Sequence, residues 1–371
     1  MTVDQPRTVL PLRPELAGLH PYGAPQLDVP VRLNVNENPY PPSPAVVEDI
    51  AAAVRAAAGT LNRYPDRDFA DLRTDLAAYL LAESGVVLDP AQIWAANGSN
   101  EVMLHLLQAF GGPGRTAVSF APTYSMYPEY ARDTSTRWVT GRREDDFSLD
   151  AAHAADVIAR EQPSVVLLAS PNNPTGTALP ASTVEAVLAA ADDVAAGCVV
   201  VVDEAYGEFR RRGTPSALEL LAGHPNLAVS RTMSKAFGLA GGRVGYLAAT
   251  TELVDALRVV RLPYHLSAVT QAVARAALAH SAELMAQVGA LRDERDGLVA
   301  WLREKGLTAA DSDANFVLFG VLDDAHGVWQ GLLDRGVLIR EVGPAGWLRV
   351  SVGTPQETAA FKAALAEVAG L

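Results

Sequence analysis

Ser230-Arg-Thr-Met-Ser-Lys-Ala-Phe-Gly-Leu-Ala-Gly-Gly-Arg-Val-Gly245 sets one lysine, Lys235, among small and hydroxyl residues, directly after the apolar run Asn226-Leu-Ala-Val and just before a glycine-rich turn. An apolar run ending in such a turn reads as a buried strand delivering its last residues to a loop. Open α/β sheets bind ligands at the carboxyl ends of their strands, so an amine at this position invites chemistry. The alternative is an ordinary solvated loop lysine, and the rest of the chain decides between them.

Working outward, apolar runs at 116–120, 136–140, 164–169, 198–203, 226–231 and 243–249 alternate with helical patterns. Short apolar strands separated by helices predict an α/β fold, a large domain with a mainly parallel sheet flanked by helices. Helices are expected over 44–58, with Ser43 as cap, over 69–84 and over 102–110. Alanine-rich helices follow from 253 to about 305, broken by Pro263, and runs at 314–319, 336–341 and 346–352 with a final helix from 355 predict a smaller C-terminal α+β domain. The division expected is an arm over 1–45, a large cofactor-binding domain over 46–260, and linker helices with the small domain over 261–371. The arm is proline-rich with little periodicity, so an extended segment draped over an unspecified surface is expected.

Composition narrows the function. The 371 residues carry a formal charge of -13, which argues against phosphate-backbone binding and hence against nucleic acid as a partner. No apolar run approaches the ~20 residues of a membrane span, and the start, Met-Thr-Val-Asp-Gln-Pro-Arg, lacks a charged region followed by an apolar one, so no signal peptide is expected. Cys198 is the only cysteine. That excludes an intramolecular disulfide and a cysteine-based metal cluster, and a reducing cytoplasm is the expected location. No metal site is expected.

Three strand ends carry unusual polar content: Ser170-Pro-Asn-Asn-Pro-Thr-Gly176, Val199-Val-Val-Val-Asp203 followed by Glu204 and Tyr206, and the stretch holding Lys235. If Lys235 forms a Schiff base with pyridoxal 5'-phosphate, each requirement of that cofactor finds a candidate. A protonated ring nitrogen calls for a buried carboxylate, Asp203, for which helix capping is the competing role. The ring oxygen needs donors, Asn173 and Tyr206. The phosphate needs helix-start amides, Ser99 and Asn100, hydroxyls, Thr232 and Ser234, and a fixed cation, Arg243. Neither G-x-x-x-x-G-K-[ST] nor G-x-G-x-x-G occurs, so no standard nucleotide motif supplies the phosphate reading.

Ser234-Lys-Ala-Phe-Gly-Leu-Ala-Gly-Gly-Arg243, Asn172-Asn-Pro-Thr-Gly176, Asp203-Glu-Ala-Tyr206, Ala121-Pro-Thr-Tyr124 and Leu348-Arg-Val-Ser-Val-Gly353 together resemble the fold-type I pyridoxal-phosphate aminotransferases. Asn34-Val-Asn-Glu-Asn-Pro-Tyr40, Leu61-Asn-Arg-Tyr-Pro65, Leu262-Pro-Tyr-His-Leu-Ser267 and Ser312-Asp-Ala-Asn-Phe316 are similar to the histidinol-phosphate aminotransferase family, particularly its actinobacterial form. The resemblance implies amino transfer between L-histidinol phosphate and 2-oxoglutarate, giving imidazole-acetol phosphate and L-glutamate, in histidine biosynthesis. It implies that Lys235 is the Schiff-base lysine and acid/base, that Tyr124 stacks on the ring, that Arg349 takes a carboxylate, and that Tyr22, Asn36, Asn173 and Arg340 contact substrate. It further implies a homodimer in which Tyr64 reaches the neighbouring active site. An aromatic amino-acid aminotransferase of the same fold is the nearest alternative, since few pocket residues separate the two. A decarboxylase fits less well, because Arg349 would hold the departing carboxylate. A non-catalytic regulator would need a DNA-binding module that the first ~45 residues are too short and too weakly basic to supply.

Overall fold

The computed structural model describes residues 11–371; the first ten residues of the expected arm lie outside it. The strands in chain order are β1 (Val31–Arg32), β2 (Ile93–Ala96), β3 (Thr116–Ala121), β4 (Arg137–Arg142), β5 (Val165–Ala169), β6 (Val199–Asp203), β7 (Leu227–Thr232), β8 (Gly245–Ala248), β9 (Thr308–Ala309), β10 (Phe316–Gly320), β11 (Val337–Leu338) and β12 (Leu348–Ser351). Seven form one sheet in the order β2-β8-β7-β6-β5-β3-β4.

Strands β3 to β7 run parallel, as their crossover helices require. The run at 243–249 departs from that pattern. Its paired part, β8, is antiparallel to both β7 and β2. No helix separates β7 from β8; the intervening chain is the Lys235 turn itself, closed by Met233 N–H donating to Val244 O at 3.0 Å. A turn without a crossover can only return the chain antiparallel. The consequence for the site is that Lys235 lies three residues beyond β7, in the connection that leads back to β8.

The helix Pro44–Ala58 has the expected bounds, with Ser43 Oγ accepting from Val46 N–H at 3.3 Å. The next begins one residue late, at Ala70, because Phe69 adopts a left-handed backbone (φ 42°). The helix expected over 102–110 starts at Ser99, three residues earlier. β10 pairs with β12 and β9 in a small antiparallel sheet. Of the run at 336–341 Val337 and Leu338 form a strand, and their partner is unexpected: β1, in the arm, runs parallel to them. The arm's destination is therefore the small sheet's side of the molecule.

Two large apolar cores result, with a small third cluster of Phe147, Ala310 and Leu318. One surrounds the large sheet and takes in Ala274, Ala277 and Leu284 from the helices after Pro263. The other is built on Val317, Phe319, Leu348 and Phe361. The long helix Ser281–Glu304 serves both, giving Leu284, Val288 and Leu291 to the first and Leu298, Val299 and Leu302 to the second. Among the described residues no helix is long and apolar enough to cross a membrane.

Candidate active site

The carboxyl ends of β5, β6 and β7 open on a cavity of about 230 Å³. Every site residue expected from the sequence lines it except Tyr64. That residue is 80% exposed, its ring stacked on Tyr264 with centroids 4.5 Å apart, so it offers its phenol away from this chain's own cavity.

Lys235 projects from the β7–β8 turn and donates from Nζ to the Val35 carbonyl at 3.0 Å. Burial, and after it the charge of Arg349, brings its amine down to about 8. A lowered amine is what a nucleophile and proton carrier needs near neutral pH.

Asp203 ends β6 and is buried. Tyr127 donates its hydroxyl to Oδ2 at 3.0 Å, and Ala205 N–H donates to Oδ1 at 3.2 Å. Burial still pushes the carboxyl up to about 6, against the pull of these bonds. No cation faces it, so the cavity supplies a carboxylate that gains from a positively charged partner. Tyr127 went unnoticed in the sequence. Its signal was faint: a tyrosine three residues after Tyr124, fully buried, whose hydroxyl must find a partner.

The opposite wall is an anion cradle. The helix Ser99–Phe110 starts here with Gly98 at φ 84°, and a Cβ on Gly98 would come within 2.5 Å of Arg243 Nη2. A Cβ on Gly245 would sit 2.1 Å from Ser99 N. Glycine at both positions lets β8, Arg243 and the helix start meet, and free helix-start amides beside a guanidinium suit a phosphate. Arg243 Nη1 donates to Ser234 Oγ at 3.3 Å, and Thr232 Oγ1 donates to Ser234 Oγ at 3.0 Å. Asn100 also lines this wall, and Tyr124 lies edge-on to Tyr127 with centroids 5.5 Å apart.

Arg349 comes from β12. Its Nη1 donates to Asn173 Oδ1 at 2.5 Å and its Nη2 to the Asn34 carbonyl at 2.9 Å, while Nε is buried without a partner. Burial brings the guanidinium down to about 10. A buried guanidinium that lines the cavity and is bonded only to neutral oxygens among the described residues suits a carboxylate. Arg340 shares an antiparallel backbone bridge with Arg349 and donates from Nη2 to the Gly23 carbonyl at 3.4 Å. Tyr22, half exposed, accepts from Ser125 Oγ at 3.3 Å. Asn36 is buried against Tyr206, donating from Nδ2 to its hydroxyl at 3.0 Å, and burial raises that phenol above its ordinary value. The arm thus touches Lys235, Arg349 and Tyr206 through three consecutive residues, Asn34 to Asn36, a role that the arm's lack of periodicity hid.

Amine, guanidinium, unpaired buried carboxylate and anion cradle face one space, and the donor set fits pyridoxal phosphate. The family model described as aminotransferase class I and II matches residues 29–365. The chain belongs to the class I and II aminotransferases, and within them to the histidinol-phosphate aminotransferase family. A histidinol-phosphate aminotransferase 3 of Burkholderia lata is 62% identical over 362 residues, covering 98% of this chain and 96% of the relative. The histidinol-phosphate aminotransferase of Thermobifida fusca is 60% identical over 361 residues, covering 97% and 96%. Among solved structures, the histidinol-phosphate aminotransferase of Sinorhizobium meliloti in complex with pyridoxal-5'-phosphate superposes with a TM-score of 0.80 at 30% identity, covering 92% of this chain and 91% of that one.

Proposed function

We propose that the protein is a pyridoxal-phosphate-dependent transaminase that moves an amino group between L-histidinol phosphate and 2-oxoglutarate in histidine biosynthesis, working in the cytoplasm. The observation that carries this reading is the meeting of Lys235, Asp203 and the Gly98–Arg243 cradle in one cavity that Arg340 and Arg349 also line. Pyridoxal phosphate supplies the aldehyde that captures the amine and a ring that accepts the electron pair released when the substrate Cα–H bond breaks.

The chain's own residues do the rest. With the cofactor bound, Lys235 would take the substrate's Cα proton and return it to the cofactor's C4′, two bonds away, for which a lowered amine is suited. Asp203 keeps the ring nitrogen protonated, and Tyr206 and Asn173 face the ring oxygen. Ser99, Asn100, Thr232, Ser234 and Arg243 hold the phosphate end, and Tyr124 covers the ring. Arg349, which lines the cavity, receives the α-carboxylate of glutamate. Histidinol phosphate has no carboxylate and glutamate has two, so a single outer pocket must take a phosphate and a side-chain carboxylate in turn. Arg340 and Tyr22, at the rim, offer donors that serve both.

The stacked, exposed Tyr64 supports a homodimer in which it completes the neighbouring site. Mixing the Lys235→Ala and Tyr64→Ala chains should then restore part of the activity that each lacks alone.

The deciding measurement is turnover of histidinol phosphate against phenylalanine by purified protein with 2-oxoglutarate as acceptor. A higher kcat/KM for histidinol phosphate is expected. A preference for phenylalanine would overturn the substrate assignment in favour of the aromatic aminotransferases.

A further inference from the structure

Asn36 stands in an unusual position for a buried side chain: it is 1% exposed, at φ 57°, and all its polar atoms have partners. Its backbone N–H donates to Ser351 Oγ at 2.8 Å, Ser351 Oγ donates back to Asn36 Oδ1 at 3.0 Å, and Nδ2 donates to Tyr206 Oη at 3.0 Å. Its carbonyl accepts from Asn315 Nδ2 at 3.0 Å. Asparagine tolerates the left-handed backbone better than other side chains, so its presence here suits both the geometry and the bonding.

These bonds have a direction. An amide NH2 can only donate, so Tyr206 Oη must accept from Asn36, and the phenol's own hydrogen is left for an acceptor in the cavity. Ser351 decides which way the amide points. With the amide reversed, the buried Ser351 hydroxyl would face two N–H donors, and its own hydrogen would have no acceptor among the described residues. Ser351 lies two residues beyond Arg349 on β12, so the same strand that carries the carboxylate-binding guanidinium sets the phenol's polarity.

We infer that Asn36 is a positioning residue that acts through Tyr206: held by Ser351, it forces the phenol to be a donor toward the cofactor's ring oxygen. This assigns the Asn36 amide a task on the cofactor's side of the cavity instead of contact with substrate, and it rests on the pyridoxal phosphate reading of the site. A donor on the ring oxygen draws negative charge from it, so the proton on the adjacent lysine-linked nitrogen is held less tightly. Weakening that donor should raise the pH at which the bound chromophore changes colour.

The test is a spectroscopic pH titration of the pyridoxal-phosphate-loaded protein, with Asn36→Gly made in the wild type and in a Tyr206→Phe background. Glycine keeps the backbone conformation while removing the amide. The midpoint should rise by about half a pH unit in the wild type, less than Tyr206→Phe itself causes, and should not move further in the Tyr206→Phe background. Ser351→Ala, which leaves Asn36 in place, should raise the midpoint in the same direction and covers the case in which Asn36→Gly fails to fold. Equal shifts in both backgrounds, or no shift in either variant, would overturn the proposal. A wild-type protein that takes up no colour with the cofactor would instead overturn the reading of the cavity, and the proposal with it.

Discussion

Asp203 and Glu204 are adjacent, equally buried carboxylates at the end of one strand, and their surroundings push them in opposite directions. Glu204 faces away from the cavity into a charge cluster. Arg231 Nε (2.8 Å), Ser216 Oγ (2.8 Å), Ala217 N–H (2.8 Å) and Arg210 Nη1 (3.1 Å) all donate to it. Burial would raise its carboxyl, but Arg231 and Arg210 outweigh that and hold it below the ordinary value. Asp203 has one phenol and one backbone amide, no cation, and a carboxyl raised to about 6. The cluster is built to be complete, apart from Glu208, whose Oε2 lacks a partner and whose carboxyl burial raises. The cavity leaves Asp203 without a cation and Arg349 without a carboxylate among the described residues. Shortage of that kind marks where a ligand supplies what the protein withholds.

The sharpest way to break the contrast is to remove one group from each side. Lys235→Ala should abolish the visible absorbance of the cofactor-loaded protein and cut turnover by at least about 10⁴-fold, since both covalent capture and proton transfer are lost. Its cofactor-free fold should be no less stable by denaturant titration. Arg231→Met does the reverse: it strands Glu204 and Glu208 in the interior and should lower the unfolding free energy by about 3–5 kcal/mol. A small loss there would mean that the cluster is not the structural anchor its bonding indicates.

Asp203→Asn tests both halves at once. Turnover should fall by about 10²–10³-fold through loss of the charge proposed to face the ring nitrogen. Stability of the cofactor-free protein should move the other way. Because the folded carboxyl is raised above its unfolded value, its ionisation costs stability above about pH 6, and the cost disappears as pH falls below about 4. The asparagine variant should therefore unfold at higher denaturant than wild type at pH 7–8, by roughly 2 kcal/mol, with the gain gone near pH 4. Equal stabilities across that range would refute the assignment of Asp203 as a carboxylate awaiting a cation.

Arg349→Gln is the mildest. It should reduce kcat/KM for glutamate by about 10- to 100-fold, the value of a charge-assisted bond, and affect histidinol phosphate less. In cofactor-free protein it should also raise the Lys235 amine above about 8, because a neighbouring positive charge has been removed. The pH dependence of Lys235 alkylation would report it.

The sequence by itself determined the pieces whose signals are local. The four-valine strand ending in Asp203, the lysine in its small-residue turn, the Gly-Ser helix start and the capped helix Pro44–Ala58 follow from patterning over a few residues. Those pieces implied a sheet whose strand ends converge, and the cavity lining agrees for all the expected residues but Tyr64. The tertiary structure decided the neighbours. That Val31–Arg32 pairs with Val337–Leu338, that Tyr127 reaches Asp203 from 76 residues away, and that Ser351 orients Asn36 across 315 residues are contacts between segments with no local pattern linking them. It also decided that of two adjacent acids Asp203 faces the cavity and Glu204 the interior cluster. Strand alternation sends neighbours to opposite sides, but which side holds the arginines and which the ligand depends on what packs there.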